Sequence, residues 1–272
     1  VWTRYVHTFF DLSYKEKHPM KKFFGIGLFF YFLLGTGFVL QPKKIKIYLI
    51  GDSTMSIKST SAYPETGWGM PFVHFFDSTV VVDNRAKNGR STRTFISENL
   101  WQPVADQLQE GDYVFMQFGH NDEVKEKTDR YTSPADYKKN LTRFITETRN
   151  KKAIPVVLTP VARRKFANDG RVMETHAEYS EWVRQVAKEL SVPLIDLDTK
   201  SQVLYQAMGD ENSKLLFLQL AAGEHPNYPE GKNDNTHFNE LGARKIAQIV
   251  LSEIVALRLE LSGRIVNKNK KP

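Results

Sequence analysis

At 272 residues, with 41% hydrophobic, 12% aromatic and 25% charged side chains, the chain has a globular composition and enough length to bury a substantial core. Its net charge of +7, of which +3 falls in residues 1–40, is too weak and too scattered to argue for nucleic acid as a partner. The absence of cysteine excludes disulfide frameworks, thiol catalysis, cysteine-ligated zinc and a lipoprotein anchor.

Residues 1–19, "VWTRYVHTFFDLSYKEKHP", show neither a period nor a cap and read as upstream sequence before a natural start at Met20. Residues 20–40, "MKKFFGIGLFFYFLLGTGFVL", set two lysines before a continuous apolar run that ends near Gly35, Thr36 and Gly37. That is the layout of a secretory signal peptide. The apolar part, 23–40, is long for a signal and borderline for a membrane span. The expectation is an exported protein, secreted or periplasmic, without stable membrane insertion once the signal is cleaved; the alternative is a membrane anchor formed by 23–40.

From residue 43 short apolar runs alternate with amphipathic ones. Strands are expected at 44–50 ("KIKIYLI"), 78–84 ("STVVVDN"), 112–119 ("DYVFMQFG"), 153–160 ("AIPVVLTP") and 192–197 ("VPLIDL"). The central runs are nearly continuous rather than alternating, as in parallel strands buried on both faces. Ser133 with Pro134 opens a helix carrying Tyr137, Leu141, Phe144, Ile145 and Thr148. Thr175 and Glu178 have capping-box spacing ahead of Tyr179, Trp182, Val183, Val186, Ala187 and Leu190. Asn239 is placed to cap a last helix with Ile246, Ile249, Val250, Ile254, Leu257 and Leu261 inward. Strands alternating with helices predict one α/β domain over 43–262, a three-layer α/β/α sandwich on a mostly parallel five-stranded sheet, followed by a basic tail at 263–272.

Ligands of such sheets bind beyond the carboxyl ends of the strands, so the chemistry is sought there. After the first run comes "GDSTM", where Ser53 is either a helix cap or a nucleophile. It is not a Gly-x-Ser-x-Gly elbow, because position 55 is Met, and no P-loop follows. After the second comes "NRAKNGRST", whose Gly89 is either an ordinary turn residue or a backbone N–H brought close to a ligand. After the third comes "FGHND", where Asn121 is a turn residue or an amide donor. His120 and Asp122 beside it are too few to make a metal site. Before the last helix, "NDNTHFNELGA" sets Asp234 three residues from His237, a spacing at which a tight turn lets the carboxylate orient the imidazole. Each signal alone is weak. Together they supply a nucleophile, a base with its orienting acid and an oxyanion hole, the parts of acyl transfer.

"GDST", the glycine of "KNGRS", "GHND" and "DNTH" resemble the four blocks of the SGNH (GDSL-type) hydrolases, a flavodoxin-like fold, over roughly residues 45 to 260. "GWGMPF", "NRAKNGRSTRTF", "QFGHND", "TPVARR" and "DNTHFNELGA" are similar to its rhamnogalacturonan acetylesterase branch, carbohydrate esterase family 12. The resemblance implies Ser53 as nucleophile, His237 as base, Asp234 as its orienter, and an oxyanion hole of the Ser53 and Gly89 N–H groups with the Asn121 amide. It implies a monomer acting on an acetylated polysaccharide, with no cofactor and no metal.

Ser53 is also expected to start a helix whose positive end faces the oxyanion, and Asp52 to be structural. Arg90 and Arg93, with Arg163 and Arg164, would suit the carboxylates of galacturonate. Trp68 is either a sugar-stacking platform or a core anchor, His225 is placed at the cleft, and His176 is structural. The rival readings are an esterase for acetylated xylan, a lipid or a thioester, and a non-catalytic carbohydrate-binding module. The polar loops "YPETGWG" and "HPNYPEGKND" count against lipids. The presence of both Ser53 and His237 counts against the binding module.

Overall fold

The computed structural model describes residues 43–266, so the upstream segment, the signal-like segment and the basic run from 267 lie outside the described residues. Among the described residues no helix is long and apolar enough to cross a membrane. Five strands form a parallel sheet: β1 (Ile45–Gly51), β2 (Val80–Asn84), β3 (Tyr113–Gln117), β4 (Ile154–Leu158) and β5 (Leu194–Ile195), in spatial order β2-β1-β3-β4-β5. The order reverses between β1 and β3, and the crevice for a ligand opens there.

Alternation along each central strand divides the core in two. Ile45, Ile47 and Leu49 of β1, Phe115 of β3 and Val156 and Leu158 of β4 face one layer. There they meet α1 (Gly69–Phe72), α6 (Leu197–Ser213) and α7 (Glu240–Ala256). Tyr48, Ile50, Val114, Met116 and Val157 face the other layer. It is built from α2 (Thr92–Ser97), α3 (Gln102–Gln107), α4 (Pro134–Asn150) and α5 (Ala177–Glu189). Every residue of β3 is buried, which accounts for its unbroken apolar sequence.

The caps at Ser133 and Asn239 form as the sequence suggests: Ser133 Oγ accepts from Asp136 N (3.2 Å) and Asn239 Oδ1 from Gly242 N (3.1 Å). The capping box at Thr175 does not form. α5 starts from His176 without a side-chain cap, and Thr175 Oγ1 instead accepts from Arg163 N (3.0 Å), tying the loop after β4 to the helix entrance. The stripe of α7 ends early as well. The helix stops at Ala256, Leu257 is 37% exposed, and Leu261 returns to the core from the short turn Glu260–Arg264.

Outside the parallel sheet lies an antiparallel ribbon that the sequence patterns do not announce, β6 (Phe217–Leu220) with β7 (Lys232–Phe238). Phe217 pairs with Phe238 and the adjacent Leu218 with Asp234, so residues 235–237 loop out of β7 as a bulge.

Candidate active site

Ser53 follows the end of β1 on a single turn, in which Asp52 O accepts from Met55 N (3.3 Å) and Ser56 N (3.2 Å). No helix grows from it; the next element is a three-residue turn at Thr60–Ala62. The expected helix dipole is therefore absent, and the turn is held by tertiary contacts instead. A Cβ on Gly67 would lie 2.0 Å from Ser56 O, so only glycine lets that backbone pack against the turn. Asp52 is fully buried, and its Oδ1 accepts from Thr54 N (2.9 Å) and Thr54 Oγ1 (2.8 Å). Burial pushes the Asp52 carboxyl up against the pull of those two bonds. Gln117 Nε2 donates to Thr54 Oγ1 (2.5 Å), and Trp68 Nε1 donates to Gln117 Oε1 (2.7 Å). A continuous buried chain thus runs from Trp68 to the residue before Ser53.

Gly89 follows β2 with φ +74°, a conformation that disfavours any side chain. Asn88 Oδ1 accepts from Ser56 Oγ (2.5 Å) and Lys58 Nζ (2.7 Å), which joins this loop to the Ser53 turn. The N–H groups of Ser53 and Gly89 have no acceptor among the described residues. Asn121 follows β3; its Nδ2 donates one proton to Arg90 O (3.1 Å) and keeps the other free.

The candidate base comes from the bulge of β7. Asp234 Oδ1 accepts from Thr236 N (2.7 Å) and His237 N (3.0 Å), which winds residues 234–237 into a tight turn. Asp234 Oδ2 accepts from His237 Nδ1 (2.8 Å), and Ser53 Oγ donates to His237 Nε2 (2.9 Å). Burial works to raise the Asp234 carboxyl, but the hydrogen bonds from His237 and Thr236 outweigh it and hold the group well below the usual carboxylate range. With Nδ1 donating to an ionised carboxylate, Nε2 is left as the proton acceptor.

Ser53, Gly89, Asn121 and His237 line one cavity of about 380 Å³, with Asp234 behind His237. The other sequence candidates lie elsewhere. Trp68 is fully buried and serves the core, so it is no sugar platform. Arg90 points away and forks onto Glu98 Oε2 (2.9 and 2.8 Å). Arg93 donates to the carbonyls of Thr128 (3.1 Å) and Tyr131 (3.3 Å) and lines a separate depression with Asp136 and Lys139. His225 is half-buried, accepts from Asn227 N (3.1 Å) and packs against Tyr63 rather than lining the cavity. Arg164 is buried on Asp210 and Asn235. Arg163 does line the cavity, held by Thr236 Oγ1 (2.7 Å) and Glu123 (3.5 Å). The residues that sequence reasoning missed are Lys127 and Arg130, in the irregular stretch between β3 and α4.

His120 and Asp122 do not converge. His120 Nε2 donates to Val161 O (2.9 Å), and burial, with the charges of His176 and Arg163, keeps its imidazole neutral. Asp122 Oδ1 accepts from Thr92 N (2.8 Å) and Oγ1 (2.6 Å), and burial pushes its carboxyl up to about 7. His176 is structural: buried at the entrance of α5, its Nδ1 donates to Glu123 Oε2 (2.9 Å).

The sequence model of the GDSL-like Lipase/Acylhydrolase family matches residues 49–245, which span all four blocks. The chain belongs to that family. Similar members include rhamnogalacturonan acetylesterase RhgT of Bacillus subtilis, 42% identical over 85% of this chain and 99% of its own length. A rhamnogalacturonan acetylesterase of Emericella nidulans is 27% identical over 79% of this chain and 87% of its own. Among solved structures, protein YXIM of Bacillus subtilis superposes with a TM-score of 0.69 at 25% identity, over 81% of this chain and 59% of its own. The acetylxylan esterase Axe2 of Geobacillus stearothermophilus, at 18% identity and a TM-score of 0.52 over 78% of this chain and 94% of its own, shares the fold.

Proposed function

We propose that this GDSL-family member is an exported serine esterase that removes acetyl groups from rhamnogalacturonan. One observation carries the reading: Asp234, His237 and Ser53 are joined by two hydrogen bonds of 2.8 and 2.9 Å, ending beside the unoccupied N–H groups of Ser53 and Gly89. Ser53 Oγ attacks the acetyl carbonyl carbon as its proton passes to His237 Nε2, and Asp234 stabilises the imidazolium so formed. The negative charge gathering on the carbonyl oxygen is met by the two backbone N–H groups and the free proton of Asn121 Nδ2. His237 then hands its proton to the departing sugar oxygen. Water, deprotonated by the same imidazole, releases acetate from Ser53.

The substrate comes from the relatives: RhgT at 42% identity and the probable rhamnogalacturonan acetylesterase YesY at 36% both match nearly end to end. The signal-like layout of residues 20–40 supports export, which suits a polymer substrate too large to enter a cell. The test is acetate release from acetylated rhamnogalacturonan and acetylated xylan, with Ser53→Ala as the blank. Rhamnogalacturonan is expected to be deacetylated faster, and the blank to release nothing measurable. Faster release from xylan would overturn the substrate and leave the esterase chemistry standing.

A further inference from the structure

Three residues of the stretch between β3 and α4 line the cavity at a spacing of three: Val124, Lys127 and Arg130. Two successive turns bring them to one side, Lys127 N donating to Val124 O (3.0 Å) and Arg130 N to Lys127 O (3.0 Å). Their cations are left almost unused. Lys127 makes no side-chain hydrogen bond or ion pair among the described residues. Arg130 meets its exposed neighbour Asp129 at 3.4 Å and Asn121 Oδ1 at 3.5 Å, and its Nε is buried without a hydrogen bond. Arg90, Arg93 and Arg164, by contrast, are filled by acids or carbonyls.

The guanidinium also sits where a substrate must pass. Arg130 Nη1 lies 3.3 Å from the point a Cβ of Gly89 would occupy. Arg163 adds a third cation to the cavity wall, while the acid on that wall, Glu65, is bound to buried Lys58 (2.7 Å). Lys127 thus meets no carboxylate among the described residues, and Arg130 and Arg163 meet theirs only at 3.4 and 3.5 Å; neighbouring cations so loosely compensated in a partly desolvated cleft are a binding surface for an anion. A planar guanidinium with free donors fits a carboxylate through two parallel hydrogen bonds.

We infer that Arg130 and Lys127, with Arg163 lining the same cavity, form a carboxylate subsite beside the Gly89–Asn121 loops, which holds a uronic-acid residue of the polymer while its acetyl ester lies at Ser53. This rests on the proposed acetylesterase activity. It makes the two cations specificity determinants for acidic over neutral acetylated sugars.

The test compares two forms of one substrate: acetylated rhamnogalacturonan oligosaccharides with free carboxylates, and the same oligosaccharides with the carboxyls reduced to alcohols. The wild type is expected to favour the acidic form in kcat/KM by about tenfold at low salt, the scale of one charge-assisted pair at a half-exposed site. Added salt should shrink that ratio. In Lys127→Gln and Arg130→Gln combined, the ratio falls towards one. Lys127→Gln alone lowers it too, which separates charge from any effect of Arg130 on Asn121. Equal rates on both forms, or a ratio that survives the double substitution, would overturn the subsite.

A second measurement keeps the subsite independent of the polymer assignment: inhibition of 4-nitrophenyl acetate hydrolysis by galacturonate and by galactose. Release of acetate from neither oligosaccharide, with galacturonate still the stronger inhibitor in wild type and no longer so in the double variant, removes the polymer and keeps the subsite. Galacturonate no better than galactose removes the subsite.

Discussion

Ser53, Gly89 and Asn121 leave the ends of β1, β2 and β3, three neighbouring strands of one parallel sheet, whereas Asp234 and His237 sit in a bulge of a two-stranded ribbon outside it. The first region is fixed from below by the buried chain Trp68–Gln117–Thr54–Asp52, every link of which is inaccessible to solvent or nearly so. The second is half-exposed and caps itself: Asp234 Oδ1 closes the turn while its Oδ2 orients His237. The loop after β4 clamps the bulge from outside, with Arg164 N donating to Asn235 O (2.8 Å) and Arg163 Nη1 to Thr236 Oγ1 (2.7 Å). The proposed nucleophile and oxyanion hole thus depend on the core, and the proposed base depends on one carboxylate with two oxygens and two tasks.

The sharpest way to separate those tasks is Asp234→Asn beside Asp234→Ala. Asparagine keeps an oxygen for the Thr236 and His237 N–H groups but offers the imidazole no charge, so kcat should fall by about 10⁴ with near-native melting. Alanine should lose the same activity and, in addition, roughly 1 kcal/mol of stability with the turn. Equal melting of the two variants would show that the bulge does not depend on its aspartate.

On the other side of the comparison, Asn121→Ala should lower kcat by about 10²–10³ and leave KM near native, because the amide meets charge only as it develops. A variant that melts early yet turns over normally would make Asn121 a turn residue.

The buried carboxyl next to Asn121 predicts a pH effect. Burial raises the folded-state Asp122 carboxyl to about 7, above its unfolded value near 4. The stability linked to that proton is fully present below the unfolded value and is lost as pH rises through the folded one. Asp52, also raised by burial, acts in the same direction, while Asp234, held low, loses its contribution in strong acid. Asp122→Asn keeps an acceptor for the two Thr92 donors without a charge, so it should melt less steeply from pH 5 to 8. The gain at pH 8 should be on the order of 1–4 kcal/mol. Parallel melting curves against pH would contradict the assignment.

The smallest effect expected is that of Trp68→Phe, which strips the donor from Gln117 Oε1 and leaves it unpaired in the core at a cost of about 1–3 kcal/mol. KM for oligosaccharides should not move. A raised KM with unchanged melting would return Trp68 to the sugar.

How far the sequence carried each part follows from these contacts. The parallel strands were legible because burial on both faces leaves continuous apolar runs, as in "YVFMQ". Ser53, Gly89, Asn121, Asp234 and His237 were legible because each sits at a strand end or beside a cap, where residue type and position coincide. The ribbon was not. β7 reads "KNDNTHF", rich in residues that strands disfavour, and it exists through pairing with β6 and the clamp from Arg163 and Arg164. Nor does sequence say which way an arginine points: Arg90 and Arg93 flank the Gly89 block yet turn to Glu98 and to carbonyls. Lys127 and Arg130 lie in a stretch without a strand or helix period, where only the three-residue spacing marks them. The helix expected at Ser53 fails because the carbonyls that would extend it are taken from outside: Thr54 O accepts from Trp68 N (2.9 Å), and Met55 O from Gly69 N (3.2 Å) and Asn84 Nδ2 (2.9 Å).

The claim on which everything else depends is that Ser53 is activated by the His237–Asp234 pair. Reaction with a fluorophosphonate ester, followed by peptide mass spectrometry, tests it directly, since such a probe is captured by an activated serine. One adduct, on Ser53, is expected in the wild type, absent from His237→Ala and strongly slowed in Asp234→Asn. An adduct on another residue, or full esterase activity after Ser53 is blocked, would contradict the account.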